Sequence, residues 1–205
     1  SDSNYYADIA SVPADWVGIV AADTNGDGFS DLWFQSDAAW KVRLHNDPYP
    51  DLLTSVTDGL GNQFNPSYHA LTNWAYSAGQ GYTADGTATP PATRLIRGGS
   101  MQVVSQVEQS TGIGAGTYTP KYAYWNAKQD TTGRGFLGFA TVKATDSRND
   151  LVTETQYNQT FPYIGRTEKV TVWNGSNKVS ESDPDWTKNS VAGVADSNHT
   201  AGQYH

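Results

Sequence analysis

The chain has no cysteine and a single methionine in its 205 residues, and it has far fewer basic than acidic side chains. Without cysteine there are no disulfides, no thiol nucleophile and no thiolate zinc site. The 13 Lys+Arg against 21 Asp+Glu give a net charge of −8, which argues against a phosphate backbone as partner. No apolar run is long enough to span a membrane as a helix. The Gly-x-Gly pieces lack the Lys-Ser/Thr of a phosphate loop and open no helix, which argues against nucleotide binding. His45, His69, His199 and His205 show no metal-ligand spacing. No Ser, Thr, Asp or Glu stands beside an evident base, so no catalytic group is assigned and the chain is read as a non-enzyme. Glu154 and Glu168 are the strand carboxylates from which a hydrolase pair would have to come. The chain starts at Ser1 with no signal peptide in view, and is read as a fragment of a longer protein.

What is present is turn and strand chemistry. Glycine is plentiful (20), with seven Trp and twelve Tyr, the composition of an all-β, turn-rich protein. One stretch names its own chemistry: Asp23-Thr-Asn-Gly-Asp-Gly-Phe-Ser-Asp31. Oxygen-bearing side chains fall at alternate positions (Asp23, Asn25, Asp27), Gly28 permits a sharp bend, and Asp31 follows. Alternate side chains of a curled loop converge, and the Phe29 carbonyl can join them in an anionic oxygen shell suited to Ca2+. Three carboxylates so close repel one another unless a cation intervenes. Phe34 occupies the twelfth position, where an EF-hand needs a bidentate Glu, and the flanks Trp16–Ala22 and Leu32–Gln35 read as strands.

An Asp-x-Asn-x-Asp-Gly-x-x-Asp loop between short strands resembles the FG-GAP repeat of β-propellers. The resemblance implies a structural calcium held by Asp23, Asn25, Asp27, the Phe29 carbonyl and Asp31. Residues 39–44 continue as a further strand, and Trp33 and Trp40 are expected to cover the core of this hairpin. The breaker-rich stretch 45–50 marks a boundary.

Residues 51–68 read as a hairpin turning at Asp58–Asn62, and Thr145–Tyr157 repeats the phrase through Ser147–Asp150, a degenerate internal repeat. The first copy resembles the Thr-Asp-x-x-Gly-Asn…Tyr phrase of RHS/YD-repeat proteins. Thr132-Gly-Arg-Gly-Phe-Leu-Gly-Phe139 followed by Tyr157-Asn-Gln-Thr-Phe-Pro-Tyr-Ile-Gly-Arg166 is similar to the segment joining propeller and RHS regions in bacterial toxin-complex B components and virulence-plasmid B proteins.

Between these phrases, Ser77–Thr93 is expected to be a mobile loop. Met101–Val107 reads as a strand, with Tyr118–Trp125 as its antiparallel partner across a glycine turn. Thr167–Ser182 forms a hairpin around Asn174-Gly175, and Ser182-Asp-Pro184-Asp suits a short helix cap. Asp183-Pro-Asp-Trp186 lacks the glycines of the aspartyl self-cleavage motif found in RHS shells, so no protease role is carried over.

The expected fold is all-β and antiparallel: the end of an FG-GAP propeller-like blade over 1–47, an RHS-type sheet over 48–186 and a polar tail over 187–205. In isolation it would be an open sheet or sandwich. The resemblance implies a secreted, non-catalytic segment of a toxin shell that encloses a payload. Its partners would be other parts of the same polypeptide or other toxin-complex subunits, with no nucleic acid and no membrane span. Exposed edge strands would permit self-association. A calcium-stabilised carbohydrate-binding or adhesion module is the alternative, and a glycoside hydrolase-like enzyme a second one.

Overall fold

The computed structural model describes residues 17–36, 39–45, 52–72, 81–99, 101–112, 114 and 116–186. The leading segment 1–15 and the tail 187–205 lie outside them. The chain divides into two units after Leu52. Every regular element among the described residues is a strand, as the composition implies.

The first unit is an antiparallel sheet of β1 (Val17–Ala22), β2 (Asp31–Ser36) and β3 (Ala39–Arg43), with β2 central. Val20 faces Trp33, which faces Val42, and Gln35 faces Trp40, so alternation puts these side chains on one side. Phe34 points the other way and is buried. β3 is exposed along its whole length, and Trp40 is 58% exposed. The expectation that Trp40 covers a core is therefore corrected, because three short strands have only enough partners to bury one side of the sheet.

The second unit holds β4 (Val56–Thr57), β5 (Gln63–Ala70), β6 (Gly81–Thr83), β7 (Thr93–Leu95), β8 (Gln102–Ser110), β9 (Thr117–Tyr118) and β10 (Lys121–Trp125). It continues with β11 (Lys128–Asp130), β12 (Gly135–Phe136), β13 (Thr141–Thr145), β14 (Leu151–Tyr157), β15 (Thr167–Asn174) and β16 (Asn177–Ser182). An open ten-stranded sheet runs β16-β15-β14-β13-β10-β8-β5-β4, with β6 added to β10 and β9 to β8; β12-β11-β7 form a small separate sheet.

The expected hairpins at 51–68 and 167–182 are present, the latter turning at Gly175 with a φ of 57°. Two pairings differ from the sequence reading. On one edge β10 runs antiparallel to β13 over its full length, while its other edge meets β8 only at Lys121 and Gln106. The vacated side of β10 is filled in parallel by β6, from the stretch expected to be a mobile loop. Its described part is built into the sheet because Tyr82 supplies the apolar anchor that its Gly/Ala/Thr-rich neighbours lack. Residues 182–186 are not helical; they run on from β16, and the Trp186 indole N–H donates to the Thr167 carbonyl at 2.7 Å.

The core lies where β6, β8 and the turn before β11 meet. Leu71, Tyr82, Ala84, Val103 and Ala127 are buried together, with Leu95, Ile96, Tyr124 and Phe139 packed around them. Burying a side chain such as Leu71 contributes about 1.5–3 kcal/mol. Tyr82 adds polar fastening: its hydroxyl donates to the Ile96 carbonyl and accepts the Ala127 N–H at 3.1 Å, while Ile96 N–H donates to the Ala127 carbonyl at 2.8 Å. Away from this core every residue of β13 and β14 is half-buried and all of β16 is exposed, so that end of the sheet is a single layer.

Tyr82→Phe keeps the ring but strands the buried Ala127 N–H, which costs about 1–3 kcal/mol. A urea titration should show the midpoint fall by that free energy divided by an unchanged slope. An unaltered midpoint would show that the hydroxyl bridge carries no stability.

Candidate functional site

The Asp23–Asp31 loop links β1 to β2, and its acidic side chains are turned onto its own backbone. Asp23 accepts from Gly26 N–H at 2.8 Å and Gly28 N–H at 3.0 Å. Asn25 accepts from Asp27 N–H at 3.1 Å, and Asp27 from Phe29 N–H at 2.8 Å. Gly26 and Gly28 have φ of 78° and 90°, the left-handed region that lets the chain curl this tightly. The Asn25 amide also donates to Asp27 at 2.7 Å. Phe29 stacks on His45 with centroids 4.0 Å apart.

Asp31 ties the unit together. It is 1% exposed, and its two oxygens accept the Thr24 N–H at 2.8 Å, from the loop after β1, and the His45 N–H at 2.9 Å, from just past β3. Burial pushes its carboxyl up, but the bonds from His45 and Thr24 outweigh it and leave it below the ordinary value. The proposed ligands thus share one loop. Asp23, Asn25 and Asp27 line its inner turn, and Asp31 sits at its base. Among the described residues no three acidic or histidine side chains draw together in metal-binding geometry. The side chains of this set offer oxygen donors alone, the type a hard cation takes.

The two family-like phrases, 132–139 and 157–166, meet in space. Asp130 accepts from the Thr132 hydroxyl and amide, both at 2.6 Å, and from Arg134 at 3.3 Å. The Thr132 bonds come first in holding its carboxyl below the usual range, with Arg134 adding to them. Arg134 lies 4.8 Å over the Phe161 ring, joining the first phrase to the second. Gln159 donates to the carbonyls of Asn126 and Gly138, both at 2.8 Å, and Phe139 packs against Tyr124 and Tyr82. Arg166 lies 4.7 Å over Trp186. Asp130, Asn126 and Gln159 escaped the sequence reading. Only the Asp-x-Thr turn pattern at 130–132 signalled any of them.

The repeated turns are built alike. Asp58 accepts from the Leu60 and Asn62 amides at 2.8 and 2.9 Å, and Asp146 from the Arg148 amide at 2.9 Å. The Arg148 guanidinium grips Asp146 at 2.7 Å and draws its carboxyl down to about 2. Glu154 is paired with Lys143 at 2.9 Å and faces Thr171, while Glu168 stands at the irregularity where the β14–β15 register shifts.

What these features define is an all-β segment whose conspicuous motifs are spent on turns and strand junctions. A family model described as the insecticide toxin TcdB middle/N-terminal region matches residues 9–165, more than half of the chain. The chain belongs to that family, and so to the toxin-complex B type. No curated protein and no solved structure matches it.

Because the folded-state value of Asp31 lies below 3.8, its contribution is complete above that pH and is lost as pH falls through the lower folded value. Hydrogen-exchange protection of the Thr24 and His45 amides should therefore collapse together on acidification. Asp31→Asn should weaken protection of both at neutral pH and remove that acid step. Protection that outlasts titration would show that the carboxylate does not hold the two amides.

Proposed function

We propose that this chain is an architectural, non-catalytic segment of a secreted toxin-complex B shell, in which an FG-GAP-like loop stiffened by calcium leads into RHS-type sheet that helps enclose a payload. The observation that carries this reading is the open sheet from β13 to β16, whose β13 and β14 are half-buried throughout and whose last strand is exposed, within a chain of the TcdB family. A sheet in that state is suited to continuation by further strands and to cover from other parts of the same polypeptide or from partner subunits.

Calcium would be held by Asp23, Asn25, Asp27, the Phe29 carbonyl and Asp31. Its charge would relieve the repulsion among the three carboxylates and lock the β1–β2 connection. Asp27 would have to turn from the Asn25 amide to join it. Thermal melts of the chain in millimolar calcium and in excess chelator test this. At calcium near a hundred times its dissociation constant the stabilisation is about 2.7 kcal/mol, and Asp27→Ala should abolish it. Coincident melts in all conditions would remove calcium from the proposal.

A second reading, a carbohydrate-binding module, rests on one observation. Trp33 and the exposed Trp40 border a cleft of about 620 Å³ that also reaches Val20, Ala22, Asp23 and Thr24. Indole faces beside a carboxylate suit a sugar ring. Titration with oligosaccharides, followed by tryptophan fluorescence in wild type and Trp40→Ala, should leave both spectra unchanged if the architectural reading holds. A saturable change lost in Trp40→Ala would reverse the preference.

A further inference from the structure

A cleft of about 490 Å³ in the second unit is lined by Arg94 and Arg97, by Thr87, and by the apolar Ala88, Pro90 and Leu95. In a chain of net charge −8 this lining holds two cations and no carboxylate, since Asp85 stands nearby in sequence but outside it. Other arginines are already engaged: Arg134 holds Asp130, Arg148 holds Asp146 and Arg166 lies on Trp186. Among the described residues neither Arg94 nor Arg97 has an acidic partner.

The walls are fixed in advance. Arg97 donates through Nη1 to the Ala84 carbonyl at 2.9 Å, which leaves the rest of its guanidinium fork oriented for another acceptor. The Gly86 N–H donates to Asn126 at 2.7 Å, and a Cβ at Gly86 would lie 2.7 Å from the Asn126 side chain, so the 84–88 stretch is packed onto its neighbour. Two cations bordering one cleft repel each other, and an anion placed between them relieves that cost. Guanidinium forks match the planar oxygens of a carboxylate, and an apolar wall shelters methylene groups better than it does a fully hydrated phosphate. We infer that this cleft receives an aspartate or glutamate side chain carried on a peptide segment, with Arg94 and Arg97 closing on its carboxylate and Pro90 and Leu95 covering its stem. The segment is a partner for this unit that neither the calcium loop nor the exposed edge strand supplies.

The test titrates a capped triglutamate peptide into the whole isotope-labelled chain and follows amide and arginine side-chain resonances. Saturable shifts should gather at Thr87, Arg94 and Arg97 and weaken as salt is raised. Arg94→Gln is the first variant, because the folded chain uses Arg97 but not Arg94 to hold a carbonyl. It should weaken binding by about tenfold, the value of one charge-assisted hydrogen bond. Arg94→Lys should restore only part of that loss, since it returns the charge without the fork. Trilysine and inorganic phosphate are the comparison probes. Absence of saturable shifts, equal binding of phosphate, or wild-type affinity in Arg94→Gln would each overturn the inference.

Discussion

The Tyr82 hydroxyl is the constraint on which the second unit depends. It is buried, and it satisfies a carbonyl at Ile96 and an amide at Ala127, two stretches with no covalent reason to lie side by side. Burial pushes its phenol above the ordinary value, the bond from Ala127 opposing this, so the group stays a neutral donor and acceptor. A phenylalanine would fill the same space without satisfying either backbone group. Once these three stretches are pinned, β6 lies beside β10, the small sheet of β7, β11 and β12 is anchored, and Phe139 has a wall to pack against.

A second economy runs through the chain: carboxylates used as knots. Asp31, Asp58, Asp130 and Asp146 each accept backbone N–H groups and each sits below the ordinary carboxyl value. The acidity of the composition thus has a local purpose that owes nothing to a charged partner. Surface ion pairs such as Asp146–Arg148 add little energy in water, so their worth lies in the geometry of the turn. In the Asp23–Asp31 loop the oxygens that cap backbone amides are the same ones proposed for a cation, which would have to share or replace those bonds.

Strand identity was legible wherever alternation or a turn signature was strong. The Asn174-Gly175 hairpin and the paired turns at Asp58 and Asp146 are seen where the residues placed them. The all-β class followed from the scarcity of helix formers and the wealth of Gly, Thr and aromatics. What could not be read was long-range pairing. Nothing in Gly81-Tyr82-Thr83 announces a strand, because its partner is forty residues downstream and its single apolar side chain looks stray among small ones. Trp40 misled for the opposite reason, since an aromatic on an alternating strand promises a core that three strands cannot provide. The loop was legible as chemistry, but Asp31's reach to His45 depended on where β3 ends. Gln159, which joins two carbonyls from separate stretches, has no local signature at all.

The order of strands in the large sheet also bears on how the chain acquires its structure. From β13 to β16 every strand pairs with the next one in sequence across a short connection, so each closure loses little chain entropy. The β5, β6, β8 and β10 pairings instead span tens of residues and include a parallel insertion. Contacts of that separation form slowly, because the loop must be ordered before any burial rewards it. The ladder can therefore assemble on a hairpin timescale while the Tyr82 core is still searching, and the rate of folding belongs to the core.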